Sequence, residues 1–285
     1  LRIKAVISIE EIRKLRAIWH KNGESVAFVP TMGALHDGHL GLVLKAKELS
    51  ERTIVSIFVN PKQFGPQEDF ARYPRTLAED LEKLETLGAD AVFMPNAADI
   101  YPDHFYTYIQ NTAMSGMLCG LSRPGHFTGV LTVVTKLFNL VEPHIAIFGK
   151  KDYQQWRLIE QMVRDLNMNL QVVGMETARE TDGMAMSSRN RFLGTEERSV
   201  AANIFQGLNA AKAKFASDNP PISELIKVYQ DTIKPFDLIK GEYAEIRRQD
   251  NLQLFADDKI TAPAVFLVAA KINQTRLIDN IELHT

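Results

Sequence analysis

Val26-Ala27-Phe28-Val29-Pro30-Thr31-Met32-Gly33-Ala34-Leu35-His36-Asp37-Gly38-His39 decides the reading of this chain. An apolar strand runs into a turn, and the turn delivers two histidines in the pattern His-x-Gly-His before a helix begins. A buried strand that feeds a helix through a glycine-containing loop is a site for nucleotide phosphates. The loop amides and the helix N-terminus both favour an anion. The imidazoles of His36 and His39 can donate hydrogen bonds to phosphate oxygens, and Gly38 lets the backbone approach the ligand. Phosphate suits this spacing better than zinc, which needs a third His or Cys at ligand spacing nearby. The bland alternative is two polar loop histidines with no role, and segments downstream weigh against it.

Outward from this loop, strands are expected near residues 3–7, 25–29, 53–59, 91–94, 146–148 and 170–174. The run Thr53-Ile54-Val55-Ser56-Ile57-Phe58-Val59 is apolar and β-branched nearly throughout, as in parallel strands buried on both faces. Helices are expected over 8–20, 39–50, 77–87, 127–141 and 152–167. Leu77, Leu81, Leu84 and Leu87 form an amphipathic stripe, and Gly88 stands where a helix C-terminus wants glycine. The 127–141 segment is apolar on almost every side, which predicts a central helix or one at a subunit contact. Alternating strands and helices predict an α/β fold: a doubly wound, Rossmann-like parallel sheet. Ligands in such sheets bind at the carboxyl ends of the strands. The His-x-Gly-His loop, Asn60-Pro61-Lys62-Gln63 and Gly149-Lys150-Lys151-Asp152 each follow a strand, so all three are expected at one rim.

The pattern changes after residue 176. Helices over 196–215 and 222–233 precede strands near 243–247, 264–271 and 275–278. The expected division is a Rossmann-like domain over 1–176, a hinge near 176–182, and a smaller C-terminal α+β domain over 177–285.

Composition narrows the class. The 285 residues are 45% hydrophobic and 24% charged, which fits a folded soluble chain. The net charge is −2 and no Lys/Arg block occurs, so nucleic acid as a main partner is disfavoured. One cysteine, Cys119, excludes an intrachain disulfide and fits a reducing compartment. No run reaches the roughly 20 apolar residues of a membrane span. Leu1-Arg2-Ile3-Lys4 does not read as a signal peptide. A cytoplasmic protein with no membrane partner is expected.

Several further groups carry chemistry. Lys151 can meet a phosphate as a point charge. Asp152 can cap a helix, hold Mg²⁺ or hold a ligand hydroxyl, and those alternatives stay open. In Met186-Ser187-Ser188-Arg189-Asn190, two hydroxyls and a guanidinium are donors for phosphate oxygens. Alone, that run is a solvated turn. Joined to His-x-Gly-His far upstream, it points to an adenylate-forming or nucleotidyl-transferring enzyme. Gln63 and Gln155 can recognise hydroxyls and carboxylates, or be surface glutamines. Tyr73, Arg75, Arg123 and His126 can line the same mouth, and Met32, Phe58 and Phe64 can wall it, Phe58 also being a plain core candidate.

Taken in order, Pro30–His39, Ser56-Ile57-Phe58-Val59-Asn60-Pro61-Lys62-Gln63-Phe64, Tyr73-Pro74-Arg75-Thr76, Arg123-Pro124-Gly125-His126-Phe127, Lys151-Asp152-Tyr153-Gln154-Gln155 and Met186-Ser187-Ser188-Arg189-Asn190-Arg191 closely resemble the pantothenate synthetase (pantoate–β-alanine ligase) family. The match covers roughly the first two-thirds of the chain, and the remainder has the length of that family's small C-terminal domain. His-x-Gly-His alone is shared with many nucleotidyltransferases and class I aminoacyl-tRNA synthetases.

The resemblance implies an amide-forming ligase. Pantoate would attack the α-phosphorus of ATP, pyrophosphate would leave, and β-alanine would take the acyl group from pantoyl adenylate to give pantothenate and AMP. It implies that His36 and His39 stabilise the phosphates, with His39 as the acid. Lys151, Ser187, Ser188 and Arg189 would hold the triphosphate as charge shifts. ATP would be enclosed by Met32, Gly33, Ala34, Leu35, His36, Asp37, Gly38 and His39, by Gly149, Lys150, Lys151 and Asp152, and by Ala178, Met186, Ser187, Ser188 and Arg189. Pantoate and β-alanine would meet Gln63, Gln155, Asn60, Tyr73, Arg123 and His126. Mg²⁺ would be carried mainly by the ATP phosphates, the C-terminal domain would be a lid, and the chain would form a homodimer through its N-terminal domain. Two positions depart from the family pattern: Cys119 stands where a glutamate is expected, and Lys150 where glutamate or glutamine is common. Cys119 is expected to be structural.

Other readings differ in what they need. Another His-x-Gly-His nucleotidyltransferase shares the phosphate machinery but has no use for Gln63, Gln155 and the Arg123–His126 loop together. A tRNA synthetase lacks an anticodon-binding region here. A non-catalytic nucleotide sensor needs neither both histidines nor Lys151 with Ser187 and Ser188.

Overall fold

The computed structural model describes residues 3–66, 68–218 and 220–284. The chain divides into two compact units. One comprises Leu1–Lys150 with Gln155–Glu176, the other Lys151–Gln154 with Thr177–Thr285.

The first unit is built on six parallel strands: β1 (Lys4–Val6), β2 (Val26–Thr31), β3 (Arg52–Ile57), β4 (Ala91–Phe93), β5 (Ile145–Gly149) and β6 (Gln171–Met175). Their spatial order is β1-β4-β3-β2-β5-β6. Succession runs one way from β2 through β3 to β4, and the other way from β5 to β6. The reversal falls between β2 and β5, which pair directly at Ala27–Ile145 and Phe28–Ala146. Crevices outside the carboxyl ends of strands at such a reversal are where doubly wound sheets bind ligands. The expected rim is therefore present: the loops after β2, β3 and β5 leave the sheet on one edge.

Helices connect the strands: α1 (Ile9–Lys21), α2 (Asp37–Leu49), α3 (Leu77–Leu87), the short α4 (Ala97–Ile100) and α5 (Cys119–Ser122), α6 (His126–Val141) and α7 (Tyr153–Asp165). Ser8 caps α1 with a reciprocal Glu11 contact, and Gly88 ends α3 at φ +71. In α6, twelve residues are buried within this one chain, and Phe138 meets Phe28 and Phe148 edge-on. Its all-round apolar character thus belongs to the core, not to an open subunit face. Asp152 sits in a 3-10 turn, Lys150–Asp152, that leads into α7.

The second unit contains α8 (Thr195–Ala201), α9 (Asn203–Asp218) and α10 (Ile222–Ile233), with an antiparallel sheet of β7 (Ile239–Arg248), β8 (Ala264–Ile272) and β9 (Thr275–Leu283) in that order. The expected single helix over 196–215 is two, interrupted at Ala202. The expected last strand stops at residue 278, where Asp279-Asn280 interrupts the apolar pattern. The structure carries β9 through both, because each is 5% exposed and has partners inside the fold. Leu208, Leu225, Tyr229, Phe266 and Leu283 form the core of this unit.

Candidate active site

The loop after β2 turns through two residues in the left-handed region, Gly33 at φ +79 and Ala34 at φ +52. A Cβ at Gly33 would stand 3.0 Å from Ile57 Cγ2 and 3.1 Å from Asp80 Oδ2, so the close approach and the dihedral both call for glycine. Ala34 costs about 1–2 kcal/mol in this conformation. Asp80 of α3 offsets it: the Ala34 and Leu35 amides donate to its Oδ2 and Oδ1 at 2.9 and 2.8 Å. Lys83, one turn along α3, donates to the Leu35 carbonyl at 2.7 Å. Asp80 is 1% exposed. In the sequence it reads as one of the charged residues between the leucines, and only the folded loop reveals its task.

This places His36 at the N-cap of α2 and His39 in its first turn. The two rings lie 4.0 Å apart, and the His36 amide donates to His39 Nδ1 at 3.4 Å. With Nδ1 accepting, the neutral His39 ring carries its proton on Nε2, the atom suited to donate to a phosphate oxygen. Asp37 and Gly38 lie in the same first turn, while Ala34 and Leu35 are buried with their amides given to Asp80, so these two are not among the anion-binding loop amides the sequence suggests.

The loop after β3 is fixed from below. Asn60 is 1% exposed. Its amide donates to the Gly129 carbonyl and to Gln63 Oε1, both at 3.1 Å, and its Oδ1 accepts from Tyr101 at 2.8 Å. A Cβ at Gly129 would fall 2.2 Å from the Lys62 carbonyl oxygen, so this glycine of α6 makes room for the loop. Gln63 Nε2 donates to Met32 Sδ at 3.1 Å, which joins the loops after β2 and β3. The Gln63 carbonyl accepts from His126 Nδ1 at 2.8 Å, and Arg123 Nη1 meets His126 Nε2 at 3.0 Å. A carbonyl only accepts and a guanidinium only donates, so His126 is neutral with its proton on Nδ1. Arg123 is held bidentately by Glu68, at 2.7 and 2.6 Å. Burial pushes the Glu68 carboxyl up, but hydrogen bonding and charge from Arg123 outweigh it and leave the group below its ordinary value. Asn60, Arg123 and His126 therefore build the Gln63 loop. Tyr73, 6% exposed, packs edge-on against Phe64. Arg75 stacks near Phe70 and donates to the Tyr73 carbonyl, and Phe58 is core.

At the end of β5, Gly149 precedes Lys150. The Lys150 ammonium pairs with Glu176 at 2.6 Å and lies over the Trp156 ring. The departure at Lys150 thus has an acidic partner of its own. Gln155 lies in the first turn of α7, and its side chain makes no hydrogen bond among the described residues. Cys119 is a buried thiol at the start of α5.

In the second unit, Lys151, Ser187, Asn190 and Asp279 line one pocket. Lys151 Nζ is 3.9 Å from Asp152 Oδ2. Ala178 and Met186 close a small hairpin, the Met186 amide donating to the Ala178 carbonyl at 2.9 Å. Ser187 Oγ then caps the 3-10 turn of Ser188 and Arg189, accepting from the Arg189 amide at 3.2 Å, and its hydroxyl proton remains a donor. Asn190, absent from the residues expected to bind ligand, has a buried Oδ1 with no hydrogen-bond partner among the described residues. Burial pushes the Asp279 carboxyl up, against the opposing charge and hydrogen bonds of Arg179. Among the described residues no three His, Cys, Asp or Glu side chains converge as a metal cage, and no helix is long and apolar enough to cross a membrane.

A strand–His-x-Gly-His–helix turn beside a sheet reversal defines a nucleotide-binding α/β protein. The family model described as pantoate-beta-alanine ligase matches residues 4–282, and the chain belongs to that family. It is 45% identical to pantothenate synthetase of Thermosipho africanus over 98% of this chain and 99% of that one. It is 47% identical to the Pelotomaculum thermopropionicum enzyme over 96% of each. The pantothenate synthetase structure from Thermus thermophilus superposes with a TM-score of 0.93 at 38% identity, covering 99% of this chain and all of that one. The Francisella tularensis ligase, solved in complex with beta-gamma ATP and beta-alanine, gives 0.81 at 34% identity over 98% and 97%.

Asp80→Asn keeps the shape but leaves one loop amide without its acceptor. Denaturant unfolding is expected to register a loss of about 1–3 kcal/mol; an unchanged midpoint would mean the loop is held by something else. Glu68 has a sign that pH can read. Its folded value lies below the unfolded one, so its stabilisation is complete above the ordinary value of 4.5 and is lost as pH falls through the depressed value. Glu68→Gln should remove that acid-side loss, and an identical pH–stability slope in the variant would contradict the pairing.

Proposed function

We propose that this chain condenses (R)-pantoate with β-alanine at the expense of ATP, releasing AMP and pyrophosphate. The full-length family match supports the reaction class, and the seating of His36 and His39 by Asp80 is the observation that carries it to this chain. A carboxylate is a poor electrophile, so it must first gain a leaving group. A pantoate oxygen attacks the α-phosphorus, the bond to the β-phosphate oxygen breaks, and pyrophosphate departs. The amine of β-alanine then attacks the acyl carbon, the bond to AMP breaks, and nitrogen gives up a proton.

In this reading His39 Nε2 and His36 donate to phosphate oxygens as charge moves toward pyrophosphate. Lys151, Ser187, Ser188 and Arg189 share that work as preorganised donors. The amides of Gln63 and Gln155 hold pantoate, Gln63 also lying near β-alanine, with Asn60, Arg123 and His126 acting on pantoate through the Gln63 loop. The residues 177–285 serve as lid. Mg²⁺ would come with the ATP phosphates and would supply charge neutralisation there; Asp152, its carboxylate half exposed in the turn that also carries Lys151, is the acid that would hold it. A homodimer formed through the N-terminal domain and a cytoplasmic setting belong to the same proposal. Light scattering is expected to give twice the chain mass, and a monomer at assay concentration would reject the dimer.

Product analysis tests the reaction. ATP, Mg²⁺ and pantoate should give pyrophosphate and bound pantoyl adenylate, with AMP and pantothenate released on adding β-alanine. ADP and phosphate would overturn the mechanism. His39→Ala should slow adenylate formation by roughly 10²–10³ in a folded protein, and unchanged turnover would remove His39 from its role. Gln63→Ala should weaken use of pantoate and β-alanine; weakening confined to ATP would contradict its place.

A further inference from the structure

Strand β9 lies more than a hundred residues downstream of Lys151 in a part of the chain that matches no motif read from the sequence. It nonetheless grips both segments that carry the second unit's phosphate donors. Asn280 Nδ2 donates to the Lys151 main-chain carbonyl at 3.0 Å. Two residues along β9, Glu282 Oε1 accepts from the Tyr153 hydroxyl at 3.1 Å. Residues two apart on a strand share a face, so Asn280 and Glu282 together hold the Lys151–Tyr153 turn. The residue between Ile278 and Asn280 serves the other segment. Asp279 receives both Nη atoms of Arg179 at 2.7 and 2.9 Å, and the Asn280 carbonyl accepts from Arg179 Nη2 at 3.2 Å. Arg179 also donates to the Gly183 carbonyl and lies with its guanidinium 3.5 Å from the centre of the Phe205 ring, so it is fixed on several sides. It thereby anchors the hairpin from Ala178 to Met186 that delivers Ser187. Adjacent strand residues project to opposite faces, which lets one dipeptide reach both segments.

We infer that Asp279 and Asn280 are positioning residues of the triphosphate site, setting the Lys151 ammonium against the Ser187 hydroxyl from the C-terminal strand. This rests on the phosphate-binding role given to Lys151 and Ser187 above. Both dipeptide side chains are buried; Asp279 borders the pocket of Lys151 and Ser187 with its carboxylate committed to Arg179. Their effect passes through the main chain of the residues that meet the ligand. A misplacement of about 1 Å in a site of this kind costs on the order of 10²-fold in rate.

Asn280→Ala removes the donor, and Asn280→Asp keeps the shape while offering no proton to the Lys151 carbonyl. ATP affinity, measured by titration calorimetry, is expected to fall about tenfold or more in both, with KM for ATP rising to match and KM for β-alanine unmoved, an asymmetry that general loosening does not produce. Tyr153→Phe, which loosens the same turn through Glu282, should give a smaller shift in the same direction and stands in if the Asn280 variants do not fold. Wild-type ATP affinity in folded variants overturns the inference. Weakened ATP binding alongside a wild-type protein that makes no pantothenate leaves the positioning intact and rejects the proposed reaction instead.

Discussion

The loop between β2 and α2 holds a shape that its own residues resist. Two successive positive φ angles, one of them at Ala34, keep the chain tight against Ile57 and aim α2 so that His36 and His39 meet at its first turn. The Asp80 carboxylate makes this possible by accepting both neighbouring amides from inside the protein. Charge-assisted bonds to two amides outweigh a strain of about 1–2 kcal/mol. Everything proposed for the histidines depends on that buried acid.

A related device recurs at three segments assigned to substrate. A buried or half-buried side chain holds the main-chain carbonyl of the working segment. Lys83 takes the carbonyl of Leu35 beside the histidine turn. His126, fixed by Arg123 and Glu68, takes that of Gln63. Asn280 takes that of Lys151. Carbonyl clamps of this kind fix the backbone of the segment, which is what preorganisation requires of a scaffold.

The parallel sheet was legible in the sequence because its strands are short apolar runs with β-branched residues, and the helices were legible from their stripes and end signals. The phosphate loop was legible because His-x-Gly-His sits at one strand–helix turn. What escaped were the groups whose meaning lies in tertiary contact. Asp80 looks like one acid among several on α3, and Glu68 lies in a loop with no periodicity at all. Asn60, Arg123 and His126 carry polar side chains suited to ligand, and each also holds Gln63, a second task that only the fold reveals. Asp279 and Asn280 broke the apolar pattern of the last strand and hid its second half. Composition cannot distinguish a polar residue that faces substrate from one that holds the backbone behind it.

The central chemical claim is that the carboxylate of pantoate attacks the α-phosphorus. Pantoate carrying heavy oxygen in its carboxylate tests this in one turnover, read by mass spectrometry of the products. Adenylation predicts one labelled oxygen in the AMP phosphate and none in pyrophosphate, because the carboxylate oxygen that joins phosphorus stays with it when the amine displaces AMP. Label in inorganic phosphate with ADP, or unlabelled AMP alongside pantothenate, would contradict it.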